Sequence, residues 1–246
     1  MRRYLYNVKV MKQEYYKYPR TRHLPWTQHK TTDDKIWTPQ EVDKMFIGTE
    51  VVVTEKLDGE NTSLYQDHYH ARSVNGRDHA SRHWVKKLWG NIKGDIPDNW
   101  RICGENVYAE HSIKYKNLPS YFLVFNIWNE RNVCLSWGDT KEFADILGLH
   151  TVPELYLGEW DEKKVKDCYT GKSVFEGSAD VQTGEEAQEG YVVRYSSVSL
   201  YPDKNENSQR MLKGTAKFVR EGHVTTSEHW MSKEVVPNEL KENVNV

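Results

Sequence analysis

From Thr49 onward the apolar residues of this chain fall into short runs bounded by polar residues. They read TEVVVTEK (49–56), TSLYQD (62–67), HYHARS (68–73), WRICGENVY (100–108), YFLVFNIW (121–128), NVCLSW (132–137), EGYVVRY (189–195) and MLKGTAKFVR (211–220). Each run is rich in β-branched or aromatic residues and is the length of a strand. Helical spacing interrupts them in a few places. A short helix is predicted over 40–46. Another covers 80–92, where Trp84, Val85, Leu88, Trp89 and Ile92 recur at helical intervals and Arg82, Lys86 and Lys87 fill the other faces. A third covers 139–147, with Asp139 as N-cap, Glu142 three residues later, Phe143, Ile146 and Leu147 on the apolar face and Gly148 at the end. Residues 161–169 offer a fourth. Many short strands with a few inserted helices give an α+β fold built on antiparallel sheets.

At 246 residues, 37% hydrophobic and with nine tryptophans, the chain is long enough to bury a sizeable core as one large domain. No repeat or linker divides it. The segment 17–35, polar and with two prolines, reads as an extended arm, and 171–188, glycine-rich and acidic, reads as a loop. We therefore expect a single domain over 1–246: a basic, aromatic arm (1–48), a core (49–220) and a C-terminal extension (221–246).

The net charge of −2 hides segregation. Residues 1–26 carry seven Lys or Arg against Glu14 alone, whereas 176–189 carry Glu176, Asp180, Glu185, Glu186 and Glu189 without a cation. Cys103, Cys134 and Cys168 are odd in number, far apart and without a Cys-x-x-Cys pair, which speaks against a disulfide framework or zinc ribbon and for thiols in a reducing, cytoplasmic setting. The basic N-terminus lacks the apolar stretch of a secretory signal, and no apolar run is long enough to span a membrane. His68 with His70, and His79 with His83, have metal-like spacings but no cysteine or carboxylate at matching intervals, so zinc is not expected.

Chemistry is concentrated first in Glu55-Lys56-Leu57-Asp58-Gly59. A lysine at the end of an apolar strand, followed by an acid and a turn-forming glycine, can be held rigidly and partly desolvated, and desolvation with nearby cations lowers an ammonium pKa and exposes a nucleophilic lone pair. Taken alone the same five residues also describe a surface turn. Further along, in order, come Glu105 in CGEN, Phe125 in LVFNIW, Glu189 opening EGYVVR, and Lys217 in AKFVR.

These five elements, in this order, resemble the covalent nucleotidyltransferase superfamily of polynucleotide ligases and mRNA capping enzymes. The likeness covers about residues 50–220. Asn61, two after the glycine, and Arg72-Ser73 are similar to the RNA-ligase branch, and KYPRTRHLPW, VVVTEKLDGENT, HARS, LPSYFLVFNIW, AKFVREGHV and SEHW are similar to small bacterial and phage RNA ligases. The resemblance implies a catalytic domain of two packed antiparallel sheets with flanking helices and the ATP pocket between them. It implies an ATP-dependent RNA ligase that joins 3′-hydroxyl and 5′-phosphate ends through lysyl–AMP and RNA–adenylate, acts as a monomer, and uses Mg²⁺ or Mn²⁺. Lys56 is then the nucleophile. Lys217, with Lys213 or Arg220, pairs with the phosphate and lowers the Lys56 pKa. Glu105 bonds the ribose hydroxyls, Phe125 stacks on adenine with Val192 on its other face, Glu189 helps hold the metal, Glu55 sits at the adenine edge, Arg72 and Asn61 contact the AMP phosphate, and Asp58 and Gly59 complete the nucleotide-binding motif.

Two departures stand out: Lys217 is flanked by Ala216 and Phe218 rather than by a second lysine one residue away, and Asn126 replaces the acid many relatives carry after the aromatic. DNA ligases and capping enzymes append an OB barrel, and neither the segment before Glu50 nor that after Arg220 reads as one, which leaves RNA contact to the basic, aromatic stretches 1–26 and 72–93. Trp84 and Trp89 at helical spacing also fit plain core packing. His223 and His229 fit a phosphate contact or a structural cap. A capping-type guanylyltransferase and a non-catalytic RNA-binding protein of the same fold are the alternatives.

Overall fold

A computed structural model describes residues 14–76, 79–200, 211–222 and 234–242. The Val51-Val52-Val53 run requires a strand buried on both faces, and Glu50–Lys56 is that strand. It lies within a five-stranded sheet in the order Arg20–His23, Met211–Val219, Gly190–Tyr195, Glu50–Lys56, Glu154–Glu159. A seven-stranded sheet packs against it. Its order is Ser199–Leu200, Val133–Cys134, Phe122–Trp128, Arg101–Asn106, Glu60–Leu64, Tyr69–Ala71, with His150–Thr151 branching from Phe122–Trp128. Pairing is antiparallel throughout except at Arg20–His23 against Met211–Val219 and at His150–Thr151 against Phe122–Trp128. A two-stranded ribbon joins Ile113–Lys114 to Ala179–Asp180.

The two-residue period of strands sorts side chains into three apolar layers. Val51, Val53, Tyr191, Val193, Ala216 and Phe218 face outward from the first sheet, onto Val42 and Phe46 of the helix Pro39–Phe46 and Val165 of Glu162–Asp167. Ile102, Phe122, Val124 and Ile127 face outward from the second, onto Val85 and Ile92 of His83–Ile92 and Ala144 of Trp137–Ile146. Val52, Cys103, Leu123, Phe125 and Val152 meet between the sheets. The alternate positions Lys56, Val192 and Lys217 therefore turn inward, toward the opposing sheet.

The helices follow from local chemistry. Thr38 caps Pro39–Phe46 in a full capping box with Glu41, and Pro39 opens the first turn. The helix expected over 139–147 begins two residues earlier: Ser136, not Asp139, is the N-cap and accepts from the Asp139 N–H at 3.1 Å, so Asp139 serves in the first turn instead. The 80–92 helix opens with a 3₁₀ turn, Ala80–Arg82. Two segments expected to lack regular structure contain strands. In the 17–35 arm, Arg20–His23 pairs with Met211–Val219, and in the 171–188 loop Ala179–Asp180 pairs with Ile113–Lys114. NVCLSW yields only Val133–Cys134. The strand Glu154–Glu159 and the short strands Ile113–Lys114, His150–Thr151 and Ser199–Leu200 had no separate expectation. The expected contacts of Arg2, Arg3, Tyr4, Tyr6, Lys9, Lys12, Arg77, His223 and His229 lie outside the described residues.

Gly190 has φ 156° and sits so close to the neighbouring strand that an added Cβ meets Phe218 O at 2.0 Å. Gly190→Ala must part the two strands. Overpacking of this kind costs about 1–3 kcal/mol. Thermal unfolding of the variant is expected to show Tm lowered by about 2–12 °C, at 2–4 °C per kcal/mol for a chain of this size.

Candidate active site

The sheets part to leave a cleft of about 820 Å³, within the size range of small-molecule sites. The first sheet contributes Glu55, Lys56, Val192, Arg194 and Lys217, and the second side contributes Asn61, Arg72, Glu105 and Phe125. Gly190 is paired with Lys56, which sets Glu189 beside the lysine; Lys56 Nζ donates to Glu189 Oε1 at 2.5 Å. Glu189 is 1% exposed, the Lys56 side chain 25%, so the amine is the end of the pair that reaches the cleft.

Electrostatics invert one expectation. Burial works to lower the Lys56 pKa, but the charges of Glu189 and Glu105 outweigh it and hold the ammonium above its ordinary value. Without nucleotide, Lys56 is thus a clamped cation rather than a free amine. Lys217 goes the other way: burial, then repulsion from Lys56, brings it down to about 8. Burial pushes Glu105 up to about 8, against the pull of Lys56, and pushes Glu55 up to about 7. Glu55 Oε2 accepts from the Val174 N–H at 2.9 Å, while Oε1 has no hydrogen-bond partner among the described residues.

Four of the expected residues do not line the cleft: Glu189 is buried beside the Lys56 amine, and three others are placed elsewhere. Asp58 turns toward the Ile113–Lys114 ribbon, where its Oδ2 accepts from the Ser112 N–H at 2.8 Å and hydroxyl at 2.6 Å. Arg220 is paired with Asp180, and Lys213 is exposed further along the strand. Neither is placed beside Lys217; Arg72 and Lys56 are the cations that act on it. Gly59 does line the cleft, in the bend between Glu50–Lys56 and Glu60–Leu64, and glycine also allows close approach there: an added Cβ would lie 2.5 Å from Asn106 O.

The N-terminal arm, expected to contact RNA, also brings residues into the cleft. Tyr18 packs edge-on against Phe125, with centroids 5.3 Å apart, and its hydroxyl donates to Asn126 Oδ1 at 2.6 Å. The amide at 126 therefore anchors a wall of the cleft. Arg194, held by Thr54 at 2.7 Å, lies 5.8 Å from the Phe125 ring. Arg20, Asp33, Asp34 and Lys35 also line the cleft, and His23, neutral because burial and Lys217 lower it to about 4, lies 3.3 Å from Asp34. The sequence marks the arm as basic and aromatic without placing these residues; the parallel pairing of His23 with Lys217 brings them in.

Two sheets with helices on their outer faces, and a cleft between them that gathers Lys56, Glu105, Phe125 and Lys217, define a nucleotidyltransferase catalytic domain of the polynucleotide-ligase type. The family model described as RNA ligase matches residues 49–215, and the chain belongs to that family. Among solved structures it is similar to an RNA ligase of Naegleria gruberi in a ligand-free variant, at 17% identity over 83% of this chain and 59% of that one, with a TM-score of 0.50. A variant of the same ligase with ATP and Mn matches at 17% identity over 74% and 52%, TM-score 0.49. An archaeal ATP-dependent RNA ligase matches at 15% over 82% and 48%, TM-score 0.48. The chain spans about half the length of these proteins. No curated protein matches it. Among the described residues no helix is long and apolar enough to cross a membrane.

Glu105 supplies a pH test. Its folded pKa of about 8 lies above the ordinary 4.5, so stability is fully present below 4.5 and is lost as pH rises toward 8. Glu105→Gln keeps the shape without the charge. Its Tm in nucleotide-free buffer is expected to exceed the wild-type Tm by several degrees at pH 8.5 and to match it at pH 4.5, as scanning calorimetry across that range will show.

Proposed function

We propose that the protein is an ATP-dependent RNA ligase with Lys56 as its nucleophile. The observation that carries this reading is the meeting of Lys56, Glu105, Phe125 and Lys217 in one cleft, with Glu189 bonded to Lys56 from just before the strand that lies between those of Lys56 and Lys217. In the first step Lys56 Nζ, having lost its proton, bonds to the α-phosphorus of ATP as the bond to pyrophosphate breaks. AMP then passes to an RNA 5′-phosphate, freeing the amine. Finally a 3′-hydroxyl attacks that phosphate, a phosphodiester forms and AMP leaves. Displacement at phosphorus depends mainly on positioning and charge. Lys217 and Arg72 supply cations at the phosphate, Phe125 and Val192 hold the base, Glu55 offers its unpartnered oxygen to the adenine amine, and Glu105 takes the ribose hydroxyls. Arg20 and Lys35, exposed at the rim, continue the cationic surface toward RNA.

A divalent cation fits this set. Glu189 and Glu105 act on the Lys56 ammonium, Glu189 also acts on Glu55, and carboxylate oxygens gathered in this way suit Mg²⁺ or Mn²⁺. Among the described residues no three acidic, histidine or cysteine side chains form a metal cage. That agrees with an ion held by one or two carboxylates together with substrate phosphates and water. Glu189 is the residue to hold it, and the ion would add positive charge that favours the neutral amine of Lys56 and offsets phosphate charge. In its absence the raised Lys56 pKa keeps the amine protonated.

Joining of 5′-phosphorylated, 3′-hydroxyl RNA strands, nicked and single-stranded, tests the proposal. Product is expected with ATP and Mg²⁺ or Mn²⁺, none with Lys56→Ala, and a rate roughly 10²–10³-fold lower with Lys217→Ala, the usual cost of one charge-stabilising group. Nucleotide labelling with GTP in place of ATP would favour the guanylyltransferase reading.

A further inference from the structure

The strand that carries Phe125 is irregular at that residue. Cys103 stands opposite Asn126, but Gly104, the next residue, stands opposite Val124, so Phe125 is an extra residue in its strand, a β-bulge. The bulge breaks the two-residue alternation. Val124 and Ile127 face the outer layer, whereas Phe125 and Asn126 between them both turn into the gap between the sheets. A bulge disrupts the ladder at the added residue, so strand pairing alone does not fix where the Phe125 ring points.

One side chain from outside the sheet reaches both bulged residues. Tyr18 lies edge-on to the Phe125 ring, with centroids 5.3 Å apart and planes at 77°, and its hydroxyl donates to Asn126 Oδ1 at 2.6 Å. The amide is held from its other end, where Nδ2 donates to Cys134 Sγ at 3.1 Å, so Oδ1 is turned to the phenol. Burial raises the Tyr18 pKa, which keeps the hydroxyl a donor. Tyr18 is itself fixed on both sides along the chain. Before it, the Tyr16 N–H donates to the Tyr65 hydroxyl at 2.9 Å, and the Tyr16 ring lies 4.8 Å from the guanidinium of Arg101 in the seven-stranded sheet. After it, Arg20–His23 pairs with Met211–Val219 of the five-stranded sheet. The arm therefore crosses from one sheet to the other at Tyr18, which lines the cleft beside Phe125.

We propose that Tyr18 is a positioning residue for the base: by clamping the bulge at Phe125 and Asn126, it holds the Phe125 ring where the adenine of ATP stacks. Its hydroxyl acts through Asn126 and the bulge rather than on the nucleotide. The inference rests on the ligase reading, and the test separates the two.

The full chain is given α-labelled ATP with Mg²⁺ or Mn²⁺, and adduct formation is followed against ATP concentration, with thermal unfolding in parallel. Tyr18→Phe removes the hydroxyl and keeps the ring. It is expected to raise KM for ATP roughly 2- to 10-fold, the effect of one hydrogen bond, with the maximal rate within about twofold of wild type. In a Phe125→Leu background the same change should leave KM where Phe125→Leu alone puts it, because the ring to be aimed is gone. A general loss of stability would not produce that coupling. A wild-type KM in Tyr18→Phe, a loss confined to the maximal rate, or an undiminished rise of KM in the Phe125→Leu background overturns the inference. If Tyr18→Phe does not fold, Asn126→Ala, which removes the acceptor instead, is read against the same outcomes. If wild type forms no adduct with ATP, the ligase reading fails, and the inference with it.

Discussion

A single ammonium set among buried carboxylates governs this structure. Lys56 is bonded to Glu189 at 2.5 Å, and Glu105 and Glu55 line the same cleft with pKa values pushed by burial up to about 8 and 7. Such a group of acids is unfavourable in a low-dielectric interior unless cations answer it. The surrounding sheets hold it in place. The outward layers of Val51, Val53, Tyr191, Val193, Ala216 and Phe218 on one side, and Ile102, Phe122 and Val124 on the other, keep the inward residues facing one another. In the proposed reaction the nucleotide brings the phosphate groups that Lys217 and Arg72 answer, and a metal would add positive charge beside the carboxylates.

The sequence made the sheet-borne part of this legible because strands leave a two-residue signature. The inward positions Lys56, Phe125, Val192 and Lys217 lie in runs with apolar, outward residues at alternate positions, so both strand and face are legible there. Residues placed by long-range pairing are not. Tyr18, Arg20 and Asp34 belong to a stretch with two prolines and no periodicity, and they reach the cleft because His23 pairs with Lys217, far along the chain. The same limit explains Arg220. Its place in AKFVR suggested the phosphate, but Asp180, in a segment that read as loop, forms a strand and holds its guanidinium.

Local chemistry is legible in kind and incomplete in detail at two points. Asp139 fits an N-cap by type, yet Ser136 takes that role because the apolar Trp137 starts the helix earlier and packs into the core. Gly59 lies in a bend, as its type suggests, and it also permits a close approach of the backbone to Asn106 that the sequence does not show. The sign of the Lys56 pKa shift was also beyond the sequence, since it depends on whether buried cations or buried acids lie closer, and Glu189 is the closest.

The most direct test of the account is to find which atom carries the nucleotide. After incubation with ATP and Mg²⁺ or Mn²⁺, intact mass followed by peptide mapping should show one AMP on the peptide containing Lys56, through a bond that acid cleaves as expected of a phosphoramidate. AMP on another residue, Lys217 included, or no covalent AMP on a folded protein, would contradict it.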